Sequence, residues 1–134
     1  MICIVQVFTQ IEDSMKSQWE IHRDIRYFHF NLSDFGTDDE ALIAECDEAD
    51  AVVMQEPLNS VRLLNDVRNS IGSLDVVKHL QLSAERSSPY VSKAAVVGIT
   101  LSTRLVLQLV NRFSKKPILP FDDMELAKEW LVKD

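Results

Sequence analysis

The feature that most constrains the fold of this chain is an apolar run that ends in a glycine and is followed by an apolar helix. It lies in the stretch KAAVVGITLSTRLVLQLVNRF, residues 93–113. Residues 94–99 carry no polar side chain, which is typical of a strand covered on both faces, as the central strands of parallel sheets are. Residues 102–114 then have apolar side chains at helical spacing. Because parallel strands are joined by crossover helices, this stretch predicts an α/β fold.

A strand that ends in glycine before a helix also opens many phosphate-binding sites. Such a site needs several glycines, so that successive backbone N–H groups can approach the phosphate oxygens. Here there is only Gly98, and Ile99 follows it where a P-loop would have its lysine. Gly98 therefore predicts a tight strand exit or a close helix contact, and no cofactor is predicted.

Alternating side chains predict a β-hairpin near the N-terminus. Residues 25–32, IRYFHFNL, place Phe28, Phe30 and Leu32 on one face of a strand. Tyr27 and His29 lie on the opposite face. Residues 19–24, WEIHRD, are predicted to form the partner strand of this hairpin.

Capping residues predict three helix starts, at Thr37, Ser73 and Asp122. The first helix is expected to stop at Pro57 and the second to run through Arg86. Short strands are predicted at residues 61–64 and at residues 118–119, where flanking prolines suit the edge of a sheet. The buried stripe of the second helix is predicted to contain Leu74, Val77, Gln81 and Ala84, with Val76 and Leu80 beside it.

A single domain accounts for the chain, because 134 residues can remove about two-thirds of the unfolded surface from water. The segment order predicts a mixed sheet of four to five strands with about four helices. Residues 1–18 are predicted to be an N-terminal extension, an extra strand or arm, and residues 19–134 the domain. The opening MICIVQVF is too short for a signal peptide or a membrane span. We therefore expect a cytoplasmic protein without stable membrane insertion, with reduced Cys3 and Cys46.

Charge is distributed unevenly around a net value of −7. Residues 34–56 contain nine acidic side chains and no basic one, while residues 57–121 contain nine basic side chains and three acidic ones. The net charge argues against nucleic acid as a partner, because phosphate backbones favour clustered Lys and Arg. The uneven distribution indicates either solvated surfaces or a docking face for a basic protein or a second copy of this chain.

Motifs for bond-making chemistry are absent from the sequence. There is no G-x-S-x-G elbow, no H-E-x-x-H, no paired C-x-x-C and no calcium loop with its central glycine. The three histidines are scattered, and His29 sits on a strand face where it is either half-exposed or lines a pocket. Neither catalysis nor metal binding is predicted.

The loop NDVRNSIGS, residues 65–73, is the best candidate for a partner or switch site. Loops beyond the carboxyl ends of strands in α/β sheets collect ligands, because helix N-termini there present unpaired donors. A phosphoryl group at such a helix start would gain these donors, while ordinary capping and turn formation is the simpler explanation. The candidate residues are Asp66, Arg68, Asn69, Ser70 and Ser73.

Three segments together resemble the SpoIIAA-like, STAS-type proteins, a bacterial group related in fold to anti-sigma-factor antagonists. They are NSVRLLNDVRNS, PYVSKAAVVGIT and NRFSKKPILPFDDMELAKEWL. The resemblance is good from Asn59 onward, looser over residues 19–57, and does not include residues 1–18. It implies a mixed-sheet α/β domain with four helices and four or five strands, in a group whose members are mostly non-enzymatic or uncharacterised.

The resemblance also implies where a switch would lie. Antagonists of this fold exchange partners when a serine in a strand-Asp-Ser-Ser-Gly pattern is phosphorylated. Here Val67 and Arg68 follow Asp66 and Ser70 comes later, so the phosphoserine is not carried over. A more distant likeness to lipid-carrier folds would give the wide apolar helix at residues 102–114 a role.

Two functional hypotheses follow from these observations. The first is a non-catalytic regulatory or protein-interaction module, self-associating as a dimer or binding a protein partner through the loop at residues 65–73. The second is a domain that binds a small apolar ligand or lipid between sheet and helices, with Tyr27 and His29 as polar contacts. A cavity of about 300 Å³ or more, lined by apolar side chains, would favour the second.

Overall fold

The architecture is taken from a computed structural model that describes residues 15–100, 104–112 and 116–134. Within these ranges the chain forms five strands and four α-helices. In order they are β1 (Gln18–His22), β2 (Ile25–Asn31), α1 (Asp39–Val53), β3 (Val61–Asp66), α2 (Leu74–Ser87), β4 (Val91–Val97), α3 (Arg104–Arg112), β5 (Leu119–Phe121) and α4 (Met124–Val132). A 3₁₀ turn, Ser88–Tyr90, joins α2 to β4. The α/β fold with an N-terminal hairpin is thus confirmed.

The five strands lie in the sheet in the order in which they occur in the sequence, β1-β2-β3-β4-β5. The hairpin pair β1 and β2 is antiparallel, and the other three pairs are parallel. Crossovers between parallel strands are right-handed, so a sequential order sends α1, α2 and α3 to the same face of the sheet. Among the described helices, only α4, which follows the last strand, can cover the other face.

The first face holds the larger apolar core. Phe28 and Phe30 of β2 are almost fully buried there and meet in an edge-to-face contact, with ring centroids 6.3 Å apart. Helix α1 covers these rings with one apolar stripe, as its spacing predicts. The stripe comprises Leu42, Cys46, Ala49 and Val53.

The second face holds a smaller core under α4. Its buried members are Tyr27, Leu64, Ala95, Val97, Ala127 and Leu131. Two cations from the sheet bind the last carbonyls of α4: Arg62 Nη1 donates to Leu131 O at 2.7 Å and Lys93 Nζ donates to Trp130 O at 2.7 Å. Positive charge is favourable at a helix C-terminus, so these contacts fix α4 across β3 and β4.

Several local predictions differ from the structure by a small shift. The caps of α1 and α4 are Asp38 and Asp123, each one residue after the predicted Thr37 and Asp122, because those carboxylates reach the free N–H groups. The Ser73 cap of α2 is confirmed. Strand β5 also starts one residue later than predicted, at the predicted edge position.

The buried stripe of α2 is rotated from the predicted one. Leu74 is 80% exposed, whereas Val76, which was predicted beside the stripe, and Ser83 are buried. The sheet therefore packs against the side of the helix that carries Val76 and Ser83. Leu82 is also exposed, so α2 presents apolar atoms outward.

Some predictions fall outside the described residues. They include the strand or arm expected from the first residues of the chain and most of the wide apolar set in α3, of which Leu107 is described. None of the helices in the described parts of the chain is long and apolar enough to span a membrane.

Gly98 ends β4 at the point where the loop after β3 passes closest. Its φ is +94°, and a Cβ placed on it would lie 2.6 Å from Arg68 N and 2.7 Å from Arg68 Cα. Gly98 is thus a strand exit with a close backbone approach, and the neighbour is this loop rather than a helix.

Replacement of Gly98 with alanine should therefore be far more harmful than the same change at Gly36. Gly36 also has positive φ, +56°, but no heavy atom lies within 4 Å of an added Cβ. We expect Gly36→Ala to lower the free energy of unfolding by about 1 kcal/mol, and Gly98→Ala by about 3 kcal/mol or more, because backbone must also move. Urea unfolding followed by circular dichroism measures both. Equal losses would contradict the close approach.

Candidate functional site

An apolar cavity of about 600 Å³ lies on the first face, between the sheet and helices α2 and α3. Phe30, Leu63 and Val96 contribute from three neighbouring strands, and Val76 and Leu80 contribute from α2. This volume is about twice the 300 Å³ expected as the lower limit for a ligand site, and it lies within the usual range for small-molecule pockets.

Small residues line the cavity on two sides. On the sheet side Ala94 of β4 reaches only a short way toward the helices, and Gly98, just after β4, has no side chain. On the helix side Ser83, Ala84 and Ser87 of α2 are equally short. Well-packed interiors match large residues with small ones, so a small-against-small arrangement leaves space.

Polar residues line the cavity at both ends. At the carboxyl end of the parallel strands the walls include Asn69, Ser70 and Thr100. At the amino end of β4 they include Ser88 and Lys116. Lys116 Nζ donates to Val91 O and to Asn59 Oδ1. Asn65 of β3 and Ser83 of α2 are further polar residues of the wall, and most of the remaining lining is apolar.

The predicted loop, residues 65–73, is held against the loop that follows β2. Leu32 N donates to Asp66 O and Asp34 N donates to Arg68 O, both at 2.8 Å. Ser70 Oγ donates to Leu32 O at 2.6 Å and accepts from Phe35 N at 3.0 Å. The Ser70 hydroxyl thus has a structural role in joining two loops.

Two further residues of this loop are also occupied by structural contacts. Asn69, with φ +60°, donates from Nδ2 to Asp34 Oδ1 at 2.8 Å. Ser73 Oγ accepts from Val76 N as the cap of α2. Segment 69–72 forms part of the cavity wall, so the predicted partner loop and the cavity share residues.

Polar side chains on the second face form a continuous chain of hydrogen bonds. Tyr27 Oη donates to Glu20 Oε1 at 2.5 Å, and the other Glu20 oxygen lies 3.1 Å from His29 Nδ1. His29 Nε2 lies 2.9 Å from Asp66 Oδ2. Arg68 completes the chain with Nε at 2.9 Å from Asp66 Oδ1 and Nη2 at 2.8 Å from Asp66 Oδ2. We call these five residues the carboxylate–histidine chain.

The charges in this chain stabilise one another. Burial alone would raise the pKa of Asp66, but hydrogen bonds from His29 and Arg68 outweigh it and hold that pKa well below its usual range. Burial opposes protonation of His29, yet hydrogen bonds with Asp66 and Glu20 raise its pKa above 6.5. Burial and the bond to Glu20 raise the pKa of Tyr27. The chain therefore favours an imidazolium between two carboxylates.

The structure brings Tyr27, His29, Asp66 and Arg68 together but places them away from the cavity. Tyr27 and His29 belong to the second face and do not line the cavity on the first. The alternation of β2 already separates them from Phe28 and Phe30, so this separation was available from the sequence. Glu20 was missed, because its position opposite Tyr27 depends on the register of the hairpin.

One group of side chains offers the geometry of a metal site. Potential ligand atoms of Cys46, Asp47 and His79 lie within 4.8 Å of one another. Burial raises the pKa of the Cys46 thiol to about 12, and His79 Nε2 already lies 2.6 Å from Asp47 Oδ1. A cation would have to displace the thiol proton beside Arg86, which lies 3.8 Å from Asp47. The Cys46 thiol therefore keeps its proton and is a poor ligand for a metal ion.

Two acidic residues of α1 point inward, against the predicted solvated face. Glu45 accepts from the backbone N–H groups of Lys16 and Ser17 at 3.0 and 2.9 Å. Asp50 is bound by Ser83 at 2.7 Å and by Arg86 at 3.0 Å. These carboxylates tie α1 to the start of the hairpin and to α2.

Comparison with known proteins identifies the fold. The chain is similar to the crystal structure of an uncharacterised protein of the DUF3478 family from Shewanella loihica PV-4, which is described as having a SpoIIAA-like fold. The likeness covers 86% of this chain and 91% of that one, with a TM-score of 0.64 and 17% sequence identity. No protein-family model and no curated protein sequence matches the chain. The likeness confirms the SpoIIAA-like fold that the sequence segments implied.

The carboxylate–histidine chain predicts a measurable pH dependence. His29 has a raised pKa, so its contribution to stability is fully present below pH 6.5 and is lost as the pH rises through the folded-state value. In a two-dimensional NMR titration of the folded protein, the imidazole of His29 should titrate above 6.5. Asp66→Asn should lower that pKa and reduce the free energy of unfolding by about 2 kcal/mol.

His22 provides the internal control, because its partner is Glu129 and not Asp66. At a fixed pH, the ring resonances of His22 should have the same chemical shifts in the unmodified protein and in the Asp66→Asn variant. A His29 pKa that is the same in both proteins would show that Asp66 and His29 are not paired.

Proposed function

We propose that this protein is a binding module for a small, mostly apolar molecule held in the cavity between the sheet and helix α2. The observation that carries the proposal is the cavity volume of about 600 Å³ together with its apolar lining. The SpoIIAA-like fold is compatible with such a module, and equally with a regulatory or interaction module. A cytoplasmic location and a bacterial source belong to the same proposal.

The apolar wall of the cavity supports a ligand. Apolar surface left in contact with water costs about 25 cal/mol per Å². A molecule that covers this wall is therefore favoured over water.

The module is proposed to be non-catalytic. His29 and Asp66 are the best candidates for proton transfer, yet His29 lies between two carboxylates and reaches no nucleophilic side chain among the described hydrogen bonds. Ser70 points to backbone groups of the loop after β2. The polar residues of this end of the sheet therefore serve to hold loops in place.

A larger side chain on α2 should weaken ligand binding strongly. Ala84→Phe places a ring in the cavity, and we expect the affinity for the neutral probe N-phenyl-1-naphthylamine to fall about tenfold or more, because steric overlap costs about 1–3 kcal/mol. Probe fluorescence against protein concentration measures the affinity. The melting temperature of the variant should be unchanged or raised, because the ring fills empty space.

Ala51→Phe is the matched control, because Ala51 lies on the exposed side of α1, outside the cavity. It should bind the probe as the unmodified protein does. A wild-type protein that gives no saturable binding of the probe would rule out the proposed function.

A second candidate function, a self-associating interaction module, is favoured by exposed apolar side chains beside the cavity. Ile71 and Leu74 are 68% and 80% exposed, and both lie where loop 65–73 enters α2. Adjacent apolar side chains exposed to this degree are a common feature of protein interfaces. The proposed partner is a second copy of this chain, in keeping with the dimer expected from the sequence.

Charged substitutions on the exposed apolar side chains test self-association independently of ligand binding. The variant with both Ile71→Glu and Leu74→Glu should be a monomer by multi-angle light scattering where the unmodified protein is a dimer. Leu126→Glu, at an exposed leucine on the opposite face, should remain a dimer. If the unmodified protein is a monomer at every concentration tested, the self-association proposal is wrong, and the ligand proposal is unaffected.

A further inference from the structure

A polar side chain lies in the middle of the sheet wall of the cavity. Asn65 belongs to β3, the central strand of the five, and lines the cavity. Its partners in register on the two neighbouring strands are Phe30 and Val96, which line the cavity as well. Asn is depleted in strands, and central parallel strands carry apolar side chains almost throughout. Formation of the sheet therefore does not account for an amide at this position.

The amide of Asn65 is only partly hydrogen-bonded. Its Nδ2 donates to Ala95 O at 3.1 Å, and because a carbonyl oxygen only accepts, this bond settles which end of the amide carries the nitrogen. Oδ1 and the second N–H make no hydrogen bond with the residues that the structure describes. Asn65 is half-buried, and Oδ1 is not one of the enclosed polar atoms without a partner. A molecule in the cavity can therefore reach this oxygen.

The wall offers hydrogen-bonding groups but no uncompensated charge. Among its described residues only Lys116 is charged, and Lys116 Nζ already donates to Val91 O and Asn59 Oδ1. The other unmet polar group of the wall, the enclosed hydroxyl of Ser88, is uncharged. A charged group on a ligand would be buried here without a partner, which is costly, so the wall favours an uncharged molecule.

We propose that the ligand is an uncharged, mostly apolar alcohol whose hydroxyl group binds the side-chain amide of Asn65. This inference rests on the proposed function and names its ligand class. A hydroxyl both donates and accepts, so it matches the free Oδ1 and the free N–H of the amide. A ketone or a carboxylate has no hydrogen to donate to Oδ1. Phe30 and Val96, on either side of the amide, supply apolar contacts for the carbon frame.

Three competitors of the same chain length test the ligand class. 5-Decanol, 5-decanone and decanoate, each below its aggregation limit, compete for bound N-phenyl-1-naphthylamine at pH 7. 5-Decanol should bind about fivefold more tightly than 5-decanone, because only the alcohol donates to Oδ1. It should bind about tenfold or more tightly than decanoate, because the anion finds no free cation in the wall.

Two variants locate the hydroxyl group. Asn65→Leu and Asn65→Val should each remove the preference for 5-decanol over 5-decanone, while the ketone and the probe still bind. Gln81→Leu is the matched control, because this amide of α2 does not line the cavity, and it should keep the preference. A purely structural amide would behave differently: both Asn65 variants would lower the melting temperature of the free protein and leave the preference intact. We expect that temperature to be unchanged or raised, because an apolar side chain suits the site.

The outcomes separate this inference from the function on which it rests. Equal affinities of 5-decanol and 5-decanone in the unmodified protein would overturn the alcohol assignment and leave the apolar cavity in place. Decanoate that binds as tightly as 5-decanol would overturn the preference for an uncharged ligand. A preference that survives both Asn65 variants would place the hydroxyl elsewhere and overturn the assignment to the amide. Failure of the neutral probe to bind would overturn the proposed function itself.

Discussion

The order of the strands in the sheet is the constraint on which the rest of this structure depends. Four parallel strands in sequential order, joined by right-handed crossovers, send three helices to one face. Of the helices that the structure describes, the opposite face receives only α4. Two different environments result: a thick helical layer that leaves room for a cavity, and a thin layer beside which polar side chains from β1, β2 and β3 can meet.

The second face shows how a buried carboxylate becomes a structural anchor. Asp66 is fully buried, and a lone charge there would be costly because water is excluded. His29 and Arg68 provide the compensating donors, and Arg68 is thereby drawn back over the end of β3. Gly98 lets the backbone of Arg68 approach the end of β4. One ion pair thus determines the course of the loop that also lines the cavity on the first face.

The two proposed functions are physically connected through this loop. Residues 69–72 form part of the cavity wall, and Ile71 exposes its side chain to solvent from the same segment. A ligand that contacts the wall therefore contacts a segment that also belongs to the proposed association surface. Any change of affinity at one site would be matched by an equal change at the other, as linkage requires.

The sequence by itself determined the classes of the elements and much of the fold. An apolar run before Gly98, alternation in residues 25–32 and capping side chains near residues 38, 73 and 123 are local signals, and each acts over a few residues. They predicted an α/β domain with an N-terminal hairpin, and the segments after Asn59 predicted its SpoIIAA-like character. Predictions from the same signals placed the caps of α1 and α4 one residue too early and assigned the wrong side of α2 to the core. Burial of a helix face depends on the sheet that packs against it, which local signals do not specify.

Only the tertiary structure decided where chemistry is concentrated. Glu20 meets His29 through the register of the hairpin. Asp66 meets His29, 37 residues away in sequence, because β2 and β3 pair in parallel. The cavity arises where short side chains of α2 face short side chains of β4, and neither segment alone reveals the coincidence. The Ser88 hydroxyl has no hydrogen-bond partner among the described residues for the same reason: hydrogen bonding between distant residues is decided by packing, which no local pattern in the chain specifies.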